Sequence, residues 1–327
     1  MFMAFVPLLP TASAAEIDEF ISIEWIPLRA HKEILNAVEA QWKETLDAPP
    51  KLTRINLFAD DEELKSTIEK LQENPPRAVI GFGDTVCKAL RDTCPEAPLI
   101  ALFVRDPKFL EQAKESRSAP CVQLKTDPQA SFVVHVAKAL KPKLKRMAII
   151  YTKNDAANTH FANQLEIELA KTDIALARAE VPSGFCRTDS DFEKAINKLV
   201  ESGPIDILYV PDDPNCSRFG TAIYKAARKH NIQGIGTGAT MGKGCVAGFT
   251  TKTNIIAHIL AKISFQGDNA PIIENRSVDI DAYVVADKNA IESLKLDINP
   301  ALMVPAFSSP KSAPSATKAN GTGKEEQ

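Results

Sequence analysis

The sequence predicts an α/β fold built from parallel sheets with helices on both faces, arranged as two domains. Three observations predict it. Short strand-like runs alternate with helix-like segments along most of the chain. Several of those runs, such as PLIALFV at Pro98 to Val104, are continuously apolar, as in strands covered on both faces. The alternation falls into two sets of similar size, split near Val122 to Asp127, and 327 residues suffice for two cores.

The elements follow in order. Phe20 to Ile26 reads as a strand with alternating apolar positions. His31 to Leu46 carries Ile34, Leu35, Val38, Trp42 and Leu46 at helical spacing, and Pro49-Pro50 ends it. Leu52 to Ala59 is a second strand, Asp61 to Gln72 a helix, and Ala78 to Phe82 a third strand whose helix covers Val86 to Arg91. Pro98 to Val104 is a fourth strand, ending at the charged pair Arg105-Asp106. After a helix at Pro128 to Leu140 the pattern resumes. Strands are expected at Arg146 to Thr152, Ile174 to Val181, Ile205 to Val210, Ile232 to Gly236 and Gly244 to Thr250. Their helices are Ala157 to Lys171, Asp189 to Glu201 (capped by Asp189 or Ser190), Ser217 to His230 and Asn254 to Gln266. Arg276 to Val285 returns to strand character, and Asp287 to Leu294 is a last helix.

In parallel α/β sheets ligands collect at the carboxyl ends of strands. That rule selects Gly83, Asp84, Thr85 and Asp106 in the first half. In the second it selects Asn154 and Asn158 within KNDAAN, Asp212 and Asp213 within PDDPNCS, and Thr237. In RAVIGFGDTVCK, Asp84 or Thr85 can cap the following helix, whose free amides and dipole attract an anion such as a carboxylate. Such Asn, Asp, Thr and Gly residues also make ordinary turns and caps. Having them follow five separate strands is what a polar ligand cleft would need.

Catalytic chemistry finds little support. GFGDTV lacks the third glycine of a dinucleotide fingerprint, and no Walker lysine motif, G-x-S-x-G elbow or H-E-x-x-H occurs. The five His residues fall mostly inside expected helices, which favours structural or surface roles. Asp212-Asp213 could hold a metal or act as acid and base, but with no third ligand nearby they read better as a cap and a ligand contact. No metal and no cofactor is therefore expected. With a net charge of −3, from 39 basic and 42 acidic residues, and no basic runs carrying aromatics, a nucleic-acid footprint is not indicated and no nucleic-acid partner is expected.

Residues 1–15 read as a secretory leader. MFMAFVPLLP is apolar and too short to span a bilayer, and Ala12 and Ala14 form an A-x-A cleavage pattern, although no Lys or Arg precedes the run. Export suits the six cysteines; Cys87 with Cys94, and Cys186 with Cys216, are the first pairings to test, and six separate buried thiols is the other reading. Residues 299–327, rich in Pro, Ser, Ala and Lys, are expected to be a disordered tail.

Four segments, AVIGFGDTVCKAL, PLIALFVRDP, IIYTKNDAANTHFANQLE and DILYVPDDPNCSRFGTAIYKAARKHNI, together with GCVAGFTTKTNIIAHILAKISFQGDNAP, carry a resemblance in their order. Over about residues 21–298 the chain resembles ABC-transporter substrate-binding proteins of the periplasmic binding protein type I superfamily, nearest the branch with tryptophan- and tyrosine-binding members. The resemblance implies two Rossmann-like lobes joined by crossover strands, residues 16–123 plus 276–298 forming one and 124–275 the other. It implies hinge closure on a small solute, without turnover. Thr85, Asp106, Asn158 and Asp212 match polar positions of the family's cleft; the helix near Thr85 would receive a carboxylate, and Asp212 or Asp213 an amino group. Gly248-Phe249-Thr250 stands where the family often has a tyrosine-bearing loop, which counts against aromatic stacking. The implied function is an exported, periplasmic binder of an amino-acid-like or carboxylate solute, with the membrane permease of an ABC importer as partner, acting as a monomer. A periplasmic sensory or partner-binding module signalling to a membrane receptor is the alternative.

Overall fold

The computed structural model describes residues 19–182, 188–264 and 274–286. The leader-like segment, the tail, Cys186 and the expected helix at Asp287 to Leu294 lie outside the described residues. By its contacts the chain divides into two compact units. Within the described residues the first takes in residues up to 129, 155–161 and 250–283; the second takes in 130–154, 162–249 and 284 onward.

The first unit starts with β1 (Glu19–Glu24), α1 (Arg29–Thr45), β2 (Lys51–Asn56), α2 (Asp61–Glu73), β3 (Ala78–Phe82) and α3 (Gly83–Thr93). It continues with β4 (Leu99–Leu102), α4 (Phe109–Ser116) and β5 (Cys121–Lys125). The chain then supplies α5 (Ala130–Leu140), β6 (Arg146–Thr152), α6 (Ala156–Ala170), β7 (Ala175–Val181), α7 (Asp189–Glu201) and β8 (Ile207–Val210). Next come α8 (Pro214–Arg218), α9 (Gly220–Lys229), β9 (Gln233–Thr237) and β10 (Ala247–Thr250). Last are α10 (Thr253–Ser264), β11 (Arg276–Asp279) and β12 (Tyr283–Ala286).

The strands form two six-stranded sheets, ordered β11-β5-β4-β3-β1-β2 and β12-β10-β9-β8-β6-β7. Every neighbouring pair of the first sheet runs parallel, as do β7-β6-β8-β9-β10 of the second. The strand order reverses direction about β1 in one sheet and about β6 in the other, the position where parallel sheets open a crevice at their carboxyl ends. β3 is buried along its whole length, AVIGF, because helices cover both of its faces.

Each unit has its own core. On one face of the first sheet Phe20, Ile80, Phe82 and Ile100 pack with Ile34, Leu35, Val38 and Trp42 of α1 and with Ile256 and Leu260 of α10. On the other face Ile23, Val79, Leu99 and Ala101 pack with Leu64 and Ile68 of α2, Val86 and Leu90 of α3, and Phe109 of α4. In the second unit Ala148, Ile150, Leu208 and Val210 pack with Phe192 and Ile196 of α7 and with Ile223 and Tyr224 of α9.

Several sequence expectations change here. α4 and β5 were not expected; CVQLK is a core strand of the first sheet, lying between β4 and β11, and not a boundary between domains. The single run over Arg276 to Val285 is two strands in different sheets. α10, expected in the second lobe, packs on α1 in the first unit. α7 is entered through Thr188, whose N and Oγ1 donate to Asp191 Oδ2 at 3.0 and 3.2 Å. Cys87 and Cys94 are buried free thiols and not a disulfide. Among the described residues no helix is long and apolar enough to cross a membrane.

Candidate functional site

The carboxyl ends of β3 and β4 bring four of the expected residues together. α3 begins at Gly83, which holds φ +83° in the left-handed region that glycine enters without strain. Neither Asp84 nor Thr85 caps it: the N-cap position is Phe82, with no side-chain bond to the first amides. Asp84 Oδ1 instead accepts from the backbone N–H groups of Arg105 and Asp106, at 3.3 Å each, and so braces the loop after β4. Thr85 is exposed beside it. Asp106 pairs with Lys88 at 2.9 Å and accepts from the Lys108 amide at 3.0 Å. Burial alone would raise the Asp106 carboxyl, but the Lys88 ammonium and the Lys108 amide outweigh it and hold it below the usual carboxylate range. Within the same unit Arg105 Nη1 meets Asp155 Oδ2 at 3.2 Å.

After β6, Asn154 is exposed and turns the chain at φ +66°, a conformation Asn tolerates better than most residues. Asn158, in the first turn of α6, is buried, and its backbone N–H donates to Asp155 Oδ1 at 2.9 Å.

The second unit gathers Asp212, Asp213 and Thr237 at the ends of β8 and β9. Asp212 is exposed. Asp213 is not: it is 0% exposed and caps α8, Oδ1 accepting from the amides of Asn215 and Cys216 at 3.0 Å each. The same carboxylate accepts from Thr152 N at 2.7 Å and Thr152 Oγ1 at 2.9 Å, which ties the end of β6 to the end of β8. This Asp is therefore a structural cap facing its own chain. Thr237 Oγ1 and Ser217 Oγ are buried and make no hydrogen bond among the described residues. No group of three or more His, Cys, Asp or Glu is placed to hold a metal among the described residues.

Sequence reading missed a cavity of about 330 Å³ in the first unit, lined by Glu24, Pro27, Leu28, Arg29, Lys32, Arg54 and Asn56. Its volume falls within the roughly 300–1,000 Å³ usual for small-molecule pockets. Glu24 and Asn56 are the last residues of β1 and β2, so the strand-end rule does find them once the ends are placed correctly. Trp25 and Ile26, and Leu57 to Ala59, prolong the apolar pattern past the true ends and hide them.

His31 holds Glu24 in place. Its Nδ1 lies 2.9 Å from Glu24 Oε2, and its ring centroid is 4.4 Å from that of Phe82 and 5.3 Å from that of Phe103. Since a carboxylate only accepts, Nδ1 carries the proton. Burial pushes the His31 pKa below its ordinary value, against the opposing pull of Glu24. The unfolded chain then binds its proton first as pH falls, so folding stability is intact above about pH 6.5 and declines below it. Melting temperatures between pH 7 and 5 should fall for the native protein and fall less for His31→Gln; equal slopes would remove His31 as the cause.

No protein-family model matches the chain, and no curated protein does. Solved structures do match. A ligand-free, open substrate-binding protein with adhesive properties from Clostridium difficile is 13% identical at TM-score 0.71, over 88% of this chain and 98% of that one. An ABC domain in complex with L-Trp from Streptococcus pneumoniae is 14% identical at TM-score 0.60, over 87% and 97%. A probable maltose operon transcriptional repressor from Staphylococcus aureus is 8% identical at TM-score 0.58, over 84% and 99%. The chain has two α/β lobes of the periplasmic binding protein type I fold. The neighbours are binding proteins and transcription regulators.

Proposed function

We propose that this protein is a non-enzymatic, exported solute-binding protein that captures a small amino-acid-like or carboxylate ligand and delivers it to an ABC-type permease. One observation carries the reading: among the described residues, each unit keeps buried polar atoms without a hydrogen-bond partner near the carboxyl end of its sheet, Asn56 Oδ1 in the first and Thr237 Oγ1 and Ser217 Oγ in the second. Buried polar groups are ordinarily paired, and strand ends are where ligands collect in this architecture. Substrate-binding proteins among the structural neighbours support the same reading. Asp106, Asn154, Asn158, Asp212 and the start of α3 at Gly83, Asp84 and Thr85, of which Thr85 is exposed, are the further polar groups near these strand ends; a solute contacting Asp84 or Asp106 would do so beside their bonds to the Arg105 amide and Lys88.

The test is a thermal-shift screen of the purified protein against amino acids and small carboxylates. A ligand at a hundred times its Kd adds about 2.7 kcal/mol to folding stability, so one solute class should raise the melting temperature by several degrees. A flat screen would remove the transport reading. Because regulators share the fold, the same preparation should be tested for duplex DNA binding, which the net charge of −3 argues against.

A further inference from the structure

We infer that the loops at the carboxyl ends of β1 and β2 form a docking surface for a second copy of this chain, an apolar crest with a basic flank on one side and an acidic flank on the other. The inference goes beyond the solute-binding reading and does not rest on it. It puts a reversible dimer in place of the monomer that the resemblance implies.

The crest is built from two loops. Ile26, Leu28 and Phe58 are 53%, 52% and 72% exposed, three of the four large apolar side chains that stand exposed among the described residues. Pro27, also exposed, lies between the first two. Two backbone bonds fasten the loops together: Leu57 N donates to Glu24 O at 2.9 Å, and Ala59 N to Trp25 O at 2.8 Å. Phe58, between those two donors, holds φ +51°, and Ala59 holds φ +64°. Residues other than Gly, Asn and Asp enter that left-handed region at a cost. Two successive strained residues therefore hold an aromatic ring out in water, where it gains nothing from burial. A second surface laid over the ring recovers that cost.

The flanks follow from the topology. α1 covers one face of the first sheet and α2 the other, so their first turns stand on opposite sides of the crest. The start of α1 is basic: Arg29 and Lys32 are exposed, and no acidic residue stands in the first turn. The start of α2 is acidic: Asp60, Asp61, Glu62 and Glu63 are exposed in succession. Asp60 caps its helix, Oδ1 accepting from the amides of Glu62 and Glu63 at 2.9 and 3.1 Å. Arg29 reaches Glu33 at 2.8 Å with its own side chain 93% exposed, a surface pair of small worth that a partner can replace. Lys32, Asp61, Glu62 and Glu63 make no ion pair among the described residues.

This polarity selects the occupant. An anionic membrane or an acidic protein would meet four carboxylates beside Phe58, and a basic protein would meet Arg29 and Lys32. A two-fold axis lying in the interface between the flanks turns each copy's basic side onto its partner's acidic side and lays crest on crest. Such self-complementarity is what an isologous pair requires. The crest and flanks expose residues 26–30 and 58–63, about half of the 20–30 residues a side of a standard interface. The dimer should therefore be reversible, and salt should weaken it by screening the flanks.

Sedimentation velocity of the full chain over a range of concentrations tests this. The native protein should show a concentration-dependent dimer that weakens as salt is raised. Phe58→Asn suits the left-handed backbone and removes the ring; it should weaken association about tenfold without lowering the melting temperature. Reversing the basic flank, with Arg29→Glu and Lys32→Glu together, should abolish self-association. Reversing the acidic flank, with Asp61→Lys and Glu62→Lys together, should do the same. A mixture of the two reversed proteins should pair again, since each then meets the opposite charge at both contacts. That rescue separates a lost contact from a misfolded variant. A native protein that stays monomeric at every concentration overturns the inference, as does a dimer that all three variants keep or a mixture that fails to pair. Binding to lipid vesicles without self-association would give the crest to a membrane and overturn it as well.

Discussion

Asp213→Ala should destabilise the second unit by about 3–5 kcal/mol, because it strands several buried donors at once and an unsatisfied buried donor costs roughly 1–3 kcal/mol. Four donors converge on this carboxylate: Thr152 N, Thr152 Oγ1, Asn215 N and Cys216 N. Two of them belong to the first turn of α8 and two to the end of β6, so the side chain is at once a helix cap and a cross-strand clamp. Capping alone would be worth about 1 kcal/mol; the excess measures the clamp. Asp213→Asn should fall between the native protein and Asp213→Ala. It keeps one oxygen but turns an NH2 group toward one of the two sets of donors. Urea unfolding of the three proteins checks the order, and a loss under about 1 kcal/mol for Asp213→Ala would mean that water replaces the carboxylate, at variance with its burial.

Much of the fold was legible because its signals are local. Ala78 to Phe82, Arg146 to Thr152 and Asp189 to Glu201 begin and end in the structure where their patterns do, since apolar runs and helical periodicity record burial directly. What was illegible depends on distant residues. CVQLK has too little apolar character to announce a central strand, and Pro120 before it reads as a break. RSVDIDAYVV alternates from Ser277 to Ala282 and stays apolar to Val285, yet its two halves join different sheets, and nothing in the run itself marks the change. The α4 segment, FLEQAKES, is only eight residues long, below the length at which periodicity speaks.

The candidate site divides along the same line. Strand-end composition pointed to Asp84, Asp106 and Asp213, and all three stand at strand ends. It could not show that their carboxylates are engaged by Arg105, Lys88 and Thr152, which lie between 18 and 61 residues away in the chain. Asn56, by contrast, looked like the interior of a strand, and only the register with Glu24 reveals it as an acceptor without a donor. Polar residues were easy to find in the sequence; which of them remain uncommitted is a property of the fold.

Trp42→Ala should produce the other large effect, about 3–5 kcal/mol as for other buried aromatic truncations, and it separates stability from self-association. Trp42 is 1% exposed, and its ring lies 4.9 Å from that of Phe20 within the core shared by α1, α10 and the first sheet. Alanine would leave a void flanked by two helices and a sheet, where collapse is hard. The void would sit at the far end of α1 from the crest formed by Ile26, Leu28 and Phe58. Thirteen residues separate Trp42 from Arg29, about 20 Å at 1.5 Å per residue. The start of α1, with Arg29 and Lys32, should keep its place in whatever fraction stays folded. Urea unfolding should therefore show the full loss, while sedimentation of the folded variant should show less than a threefold change in the strength of self-association. Phe58→Asn should behave in the opposite way, with stability unchanged and association weakened. A Trp42→Ala protein that kept its stability would place the ring outside a packed core. One that stayed folded but no longer paired would mean that the docking surface depends on the packing of all of α1, and not on the two loops that carry the crest.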